Sequence, residues 1–239
     1  MLDIDLRVPA LVRDRAFRVL NLEVPVFTFD IEIADEIEVT GGWNRTDQMR
    51  IGVACSFDDA SGRRRLYSDL GVGELSRAAL REAVMAAPIV AGFNIWDFDL
   101  PLLFGVSRPE WRMNHATIAP GLSSRVFDVM RLARLGHRRP LDGPCGQGLN
   151  LQTCASMTLG RGKSGDGAEA PRMFAEGRLL ELHQYVIDDV WLEHDLAAHA
   201  RRNLAFRTGQ GDCPVLPDPL WEMETKQQEV VGGVSTLSG

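Results

Sequence analysis

Cysteine is sparse and scattered in this 239-residue chain: Cys55, Cys145, Cys154 and Cys213 form no C-x-x-C pair. That spacing excludes a disulfide-stapled scaffold and gives no zinc-finger pattern. The five histidines supply no H-E-x-x-H, which excludes the zinc-peptidase helix. No apolar run approaches the ~18 residues that a membrane-spanning helix requires, so no membrane contact is expected. The opening Met-Leu-Asp-Ile-Asp-Leu-Arg carries acids where a signal peptide has positive charge, and a cytoplasmic location is the expectation. Lysine is almost missing, limited to Lys163 and Lys226, and tyrosine occurs only as Tyr67 and Tyr185.

What is present is an ordinary globular mixture, 45% hydrophobic and 25% charged. The formal net charge of -7 argues against broad adhesion to nucleic acid. It does so weakly, because carboxylates that hold metal ions make a protein look acidic while the ions reverse the local sign. The length suits one large domain with modest attachments. Residues 1–22 read as an arm or short helix and 23–208 as the domain. Residues 209–239, rich in Gly, Pro and Ser, read as a mobile tail.

Within the domain, Val24–Ile33 alternates as a strand, with Phe27, Phe29, Ile31 and Ile33 on one face and Thr28, Asp30 and Glu32 on the other. Strands are expected at 49–57 and 64–68, joined by the turn Asp58-Asp59-Ala60-Ser61-Gly62. Ser76 caps a helix that Pro88 ends. Ile89–Phe93 reads as a short buried strand, and Pro101 as the first residue of a helix. A strand near 125–128 and helices near 150–159 and 178–206 follow. Strands first, then strands alternating with helices, indicate an α/β layer fold with a mixed sheet.

Three segments carry the chemistry. Asp30 and Glu32 share one face of a strand whose other face and flanks are apolar, so a central strand is favoured over a solvated edge. Like charges so placed call for a divalent cation. The second segment, Gly92-Phe93-Asn94-Ile95-Trp96-Asp97-Phe98-Asp99-Leu100-Pro101, runs from a strand end into a helix start, where α/β folds place ligands. Asp99, immediately before the helix start, is the candidate for chemistry, and Asp97 reads as a cap or surface acid. In the third, helical spacing puts Leu182, Tyr185, Asp189, Leu192 and Leu196 on one largely apolar stripe. Asp189 therefore points inward, with Tyr185 one turn before it, and a buried acid implies a partner.

Phe-Asp-Ile-Glu, then Asn-x-x-x-Phe-Asp, then Tyr-x-x-x-Asp resembles the DEDDy 3′–5′ exonucleases of the ribonuclease H-like superfamily. The match is nearest in kind to bacterial exonuclease domains related to the proofreading domain of family B DNA polymerases. Gly41-Gly42-Trp43-Asn44 and the glycine-rich Leu159–Gly167 are similar as well, and the resemblance spans about residues 24–206. It implies a ribonuclease H-like fold with a mixed central sheet flanked by helices. It also implies Asp30, Glu32, Asp99 and Asp189 as ligands of two Mg²⁺ or Mn²⁺ ions, and Tyr185 as the group that orients the attacking water. His183 and Asp188 fit the His-x-x-x-x-Asp of the sister DEDDh group, but the helical stripe favours Tyr185 and Asp189.

The implied reaction is stepwise hydrolysis of single-stranded or frayed nucleic acid to 5′-mononucleotides. DNA is favoured over RNA, and a helicase or polymerase is a conceivable partner. Phe93, Asn94, Trp96 and Lys163 are the substrate-contact candidates. Asp128 reads as a helix cap ahead of an accessory ligand, and Arg63-Arg64-Arg65 as a solvated hairpin. The rival readings are an endonuclease or RNA-trimming hydrolase on the same fold, and a non-catalytic module that binds nucleic acid or a partner.

Overall fold

A computed structural model describes residues 17–141 and 148–221. The alternating segment around Asp30 forms β1 (Phe27–Ile33), followed by β2 (Ile51–Asp58) and β3 (Arg63–Tyr67). Past α1 (Arg77–Ala86), capped by Ser76, the chain re-enters the sheet as β4 (Val90–Gly92). After α2 (Asp99–Phe104) and α3 (Arg108–Ile118) it enters again as β5 (Val126–Asp128). Helices α4 (Val129–Gly136), α5 (Leu151–Leu159), α6 (Ala170–Ala175) and α7 (Leu179–Asn203) follow. A small hairpin, β6 (Ala205–Thr208) and β7 (Gly211–Pro214), comes last.

The chain is thus an α/β protein with a five-stranded sheet in the order β3-β2-β1-β4-β5. β1 pairs antiparallel with β2 and parallel with β4, so it is central and its backbone is bonded on both edges. β2–β3 is antiparallel and β4–β5 parallel, which makes the sheet mixed. Both faces are covered. Phe29 and Ile31 join Leu80, Val84 and Ile89 in the larger apolar cluster. Val53, Cys55, Leu182, Val186 and Val190 form a second, between β2 and α7. Helix α7, 25 residues and about 37 Å long, lies across β2, β1 and β4. The stripe Leu182, Tyr185, Asp189, Leu192 and Leu196 is buried along it.

Several elements differ from the sequence reading. Pro101 is the third residue of α2, which begins at Asp99. Helix α3 went unrecognised because Trp111 is its one buried residue, leaving little apolar period to read. Helix α4 was hidden by Arg131 and Arg134, which are both buried. Arg131 pairs with Asp218, and Arg134 donates to the Leu141 carbonyl.

The expectation of a mobile tail from residue 209 is corrected for residues 209–221. β7 pairs with β6, Cys213 and Val215 are fully buried, and Trp221 Nε1 donates to the Val126 carbonyl at 2.7 Å. Single apolar residues between prolines pack there without any period to announce them. Residues 222–239, most of the expected N-terminal arm (residues 1–16), and Cys145 lie outside the described residues. The rest of that arm holds one 3₁₀ turn, Arg18–Leu20. Arg201 at the end of α7 is buried. It donates to the carbonyls of Val19, Asn21 and Val24. Among the described residues no helix is long and apolar enough to cross a membrane.

The Asp218 carboxylate receives both Arg131 Nε (2.7 Å) and Nη2 (2.8 Å) in a buried, two-pronged pair. Asp218→Ala strands that guanidinium and is expected to cost about 3–5 kcal/mol in urea unfolding. A loss below about 1 kcal/mol, the level of an exposed pair, contradicts the docking of this segment.

Candidate metal centre

The pleat of β1 turns Thr28, Asp30 and Glu32 toward α7, where Thr28 Oγ1 meets His194 Nδ1 at 3.2 Å. Cys55 and Val53 of β2 stand opposite the two acids and wall them from the side. Glu32 is buried, whereas Asp30 keeps part of its surface open. Asp99 reaches the same place from the loop after β4. It is buried, and its Oδ1 accepts the Ile31 N–H at 3.0 Å, fixing it beside the peptide that links Asp30 to Ile31.

That loop is held by Asp128. One of its oxygens accepts the Asn94 N–H and the other the Trp96 N–H, each at 2.9 Å. Asn94 adopts a left-handed backbone (φ 67°), which asparagine tolerates better than most residues. Asp128 also caps α4 through the N–H groups of Met130 and Arg131. Its carboxyl is pushed up to about 6, chiefly by burial against these hydrogen bonds. Asp128 is thus the helix cap that the sequence suggested, and it anchors the loop as well. Asp97 departs from expectation: it is neither cap nor surface acid but buried, ion-paired with Arg112 at 2.9 Å.

From α7 come Tyr185 and, one turn on, Asp189, which is 1% exposed. One oxygen each from Asp30, Glu32 and Asp189 lie within 4.8 Å of one another. Asp188, by contrast, sits part-exposed and accepts from Gln184 Nε2 at 2.7 Å. The helix therefore brings Asp189, not Asp188, to the strand.

The glycine-rich loop before α6 closes one side. Lys163 Nζ lies 2.5 Å from Asp189 Oδ2 and 5.0 Å from the centre of the Tyr185 ring. A β-carbon on Gly165 would stand 3.2 Å from that ring, and one on Gly167 3.4 Å from the Tyr185 hydroxyl. Glycine is what lets the loop approach so closely.

The electrostatics are those of an uncompensated acidic site. Asp30 is raised to about 7, by burial first and then by Asp189. Glu32 and Asp99 are pushed well above the carboxylate range, each by burial and then by Asp30. Asp189 is raised by burial even though Lys163 pulls it down. Burial lowers the Lys163 ammonium, but Asp189 and Asp30 outweigh it, and the net shift is upward. Burial and then Glu32 raise the Tyr185 hydroxyl, so it remains protonated at neutral pH. One ammonium cannot balance four carboxylates. Hard oxygen donors on facing elements suit a hard metal cation, and the triad Asp30, Glu32 and Asp189 could hold one.

The substrate-contact candidates separate. Lys163 is at the centre, and Phe93 and Asn94, both part-buried, begin the loop that leads to Asp99. Trp96 is buried, packed edge-on to Trp111 and His115 and covered by Arg131, so this substrate-contact candidate has a core role. A different aromatic is exposed beside this loop. Trp43, 57% exposed, rests edge-on against Phe98 with ring centres 5.5 Å apart. Its signal was the Gly41-Gly42-Trp43-Asn44 turn, where a large apolar residue follows two glycines.

An acid whose pKa is raised on folding stabilises the folded state when protonated and penalises it when charged. For Asp30 the penalty grows as pH rises from about 4 to about 7, reaching about 4 kcal/mol. We expect Asp30→Asn to melt higher than the wild type in EDTA at pH 8, with the gap closing toward pH 5. Equal melting of the two proteins at pH 8 contradicts the charge repulsion.

Comparison with protein-family models and with curated proteins finds no match for this chain. The convergence of the acids thus carries the functional argument unaided.

Proposed function

We propose that this chain is a metal-dependent 3′–5′ exonuclease that shortens single-stranded or frayed DNA to 5′-mononucleotides. In this reading the mixed sheet and its flanking helices belong to the ribonuclease H-like superfamily, and the centre is of the DEDDy type. One observation carries it. Acids from β1 and α7, some 160 positions apart in sequence, converge to within 4.8 Å, with Asp99 bonded to the same strand. Acids kept only for structure have no reason to crowd against one another at such electrostatic cost.

Asp30, Glu32 and Asp189 would hold one divalent ion, and Asp30 with Asp99 a second. Bound there, such ions supply an acidified water and charge neutralisation on a phosphodiester. The protein's own groups do the rest. The protonated Tyr185 hydroxyl, one turn from Asp189, donates a hydrogen bond that aligns a water for in-line attack. Lys163, paired with Asp189 in the absence of metal, would offer a positive charge to the phosphate. The terminal base needs a flat apolar surface, and the exposed face of Trp43 provides one. Asp128 keeps Asp99 in register by fixing its loop. The tightness of the acidic cluster favours catalysis over the non-catalytic reading.

With Mn²⁺ the protein is expected to remove nucleotides one at a time from 5′-labelled single-stranded DNA, and EDTA should stop it. Asp30→Ala should abolish cleavage, and Tyr185→Phe should lower the rate by about 10²-fold, as for loss of a positioned proton-bearing group. His183→Ala should cleave like the wild type. Internal cuts without a ladder from the 3′ end would favour the endonuclease. A folded, Mn²⁺-loaded protein that leaves DNA and RNA intact would overturn the enzymatic reading.

A further inference from the structure

One turn beyond Asp189, α7 presents another acid that the resemblance did not supply. Glu193 is 2% exposed, and its Oε2 makes no hydrogen bond among the described residues. Its place is defined by Gly92, the last residue of β4. A β-carbon there would stand 3.2 Å from Glu193 Oε2 and 3.0 Å from the Phe29 carbonyl of β1. The carboxylate therefore hangs over the seam between β1, the strand that carries Asp30, and β4, at the root of the loop that brings in Asp99. Tyr185, Asp189 and Glu193 follow one another at four-residue spacing along a single face of α7.

We propose that Glu193 is a fifth acidic ligand of this centre, serving a second divalent cation together with Asp30 and Asp99. The assignment rests on the two-ion reading above and adds a residue to it. Two observations support it. An unpartnered carboxylate oxygen in the protein interior is costly, and nothing among the described residues bonds to it. Furthermore, Asp30 lies in the strand between Ile31, whose N–H meets Asp99, and Phe29, whose carbonyl borders the same space at Gly92 as Glu193 Oε2. Asp30 and Asp99 accordingly raise Glu193 ahead of Asp189, after burial itself, and Lys163 lowers it least of these neighbours.

The test is calorimetric titration of the metal-free full chain with Mn²⁺, read without any substrate. The wild type is expected to bind two ions per chain. Glu193→Gln, which matches the protonated acid in shape, should keep the first binding step. It should weaken the second by at least about tenfold, the scale on which even outer partners of a metal matter. Glu193→Asp, which keeps the charge, should recover part of that loss. Melting in EDTA checks the fold: removing a buried charge leaves Glu193→Gln at least as stable as the wild type. A wild-type titration in Glu193→Gln overturns the ligand role, as does a Glu193→Asp titration no better than that of Gln. A wild type that binds no Mn²⁺ overturns the two-ion reading itself, and a wild type that binds one ion overturns the second site.

Discussion

Carboxylates forced together out of water are the constraint around which this molecule is arranged. Raising Asp30 from about 3.8 to about 7 corresponds to about 4 kcal/mol against its charged form. Glu32, Asp99 and Asp189 are raised as well. A domain whose net stability is about 5–15 kcal/mol can carry such a cluster only if the surrounding scaffold is rigid. The sheet and α7 supply that rigidity. β1 is hydrogen-bonded on both edges and apolar on its other face. α7 is clamped to the start of the domain by Arg201 and to β2 by the Val53–Val190 cluster.

Rigidity of the third contributor comes from a different source. Asp99 opens α2 straight after a loop, and loops move unless their backbone is bonded. Asp128 binds two N–H groups of that loop while capping α4, so one side chain ties β5, α4 and the loop together. Asp99 in turn accepts from β1, which closes the circuit. Buried polar groups here act less as net stabilisers than as devices that choose one geometry. The same holds for Arg131 and Asp218, which fasten the segment after β7 beneath β5.

Much of the site was legible because strand and helix periods are strict. Alternation put Asp30 and Glu32 on one face, and the stripe through Leu182 and Leu196 separated Asp189 from Asp188. Both readings agree with the geometry. What stayed hidden was whatever lacks a period. Asp97 looked like a surface acid because its partners, Arg112 and Arg134, come from other helices. Trp96 read as a contact and Trp43 did not, since a loop gives no rule for which aromatic turns inward. Glu193 lies on the same stripe as Tyr185 and Asp189, at regular spacing. It was passed over because a glutamate beyond the recognised motif reads as a solvated residue, and only the position of Gly92 reveals where it points.

Lys163 shows how the centre tolerates itself without metal ions. Its ammonium touches Asp189 and lies near the Tyr185 ring, so it shields one half of the cluster and leaves the other exposed to its own repulsion. In the proposed reading, Asp30, Glu32 and Asp189 would hold a divalent ion that neutralises the triad, and Lys163 would then be freed from Asp189 to meet a phosphate. Its loop would keep it close, because a hydrogen bond runs from the Lys163 N–H to Gln152. Such a site would turn from negative to positive as it filled, which is what an anionic substrate requires.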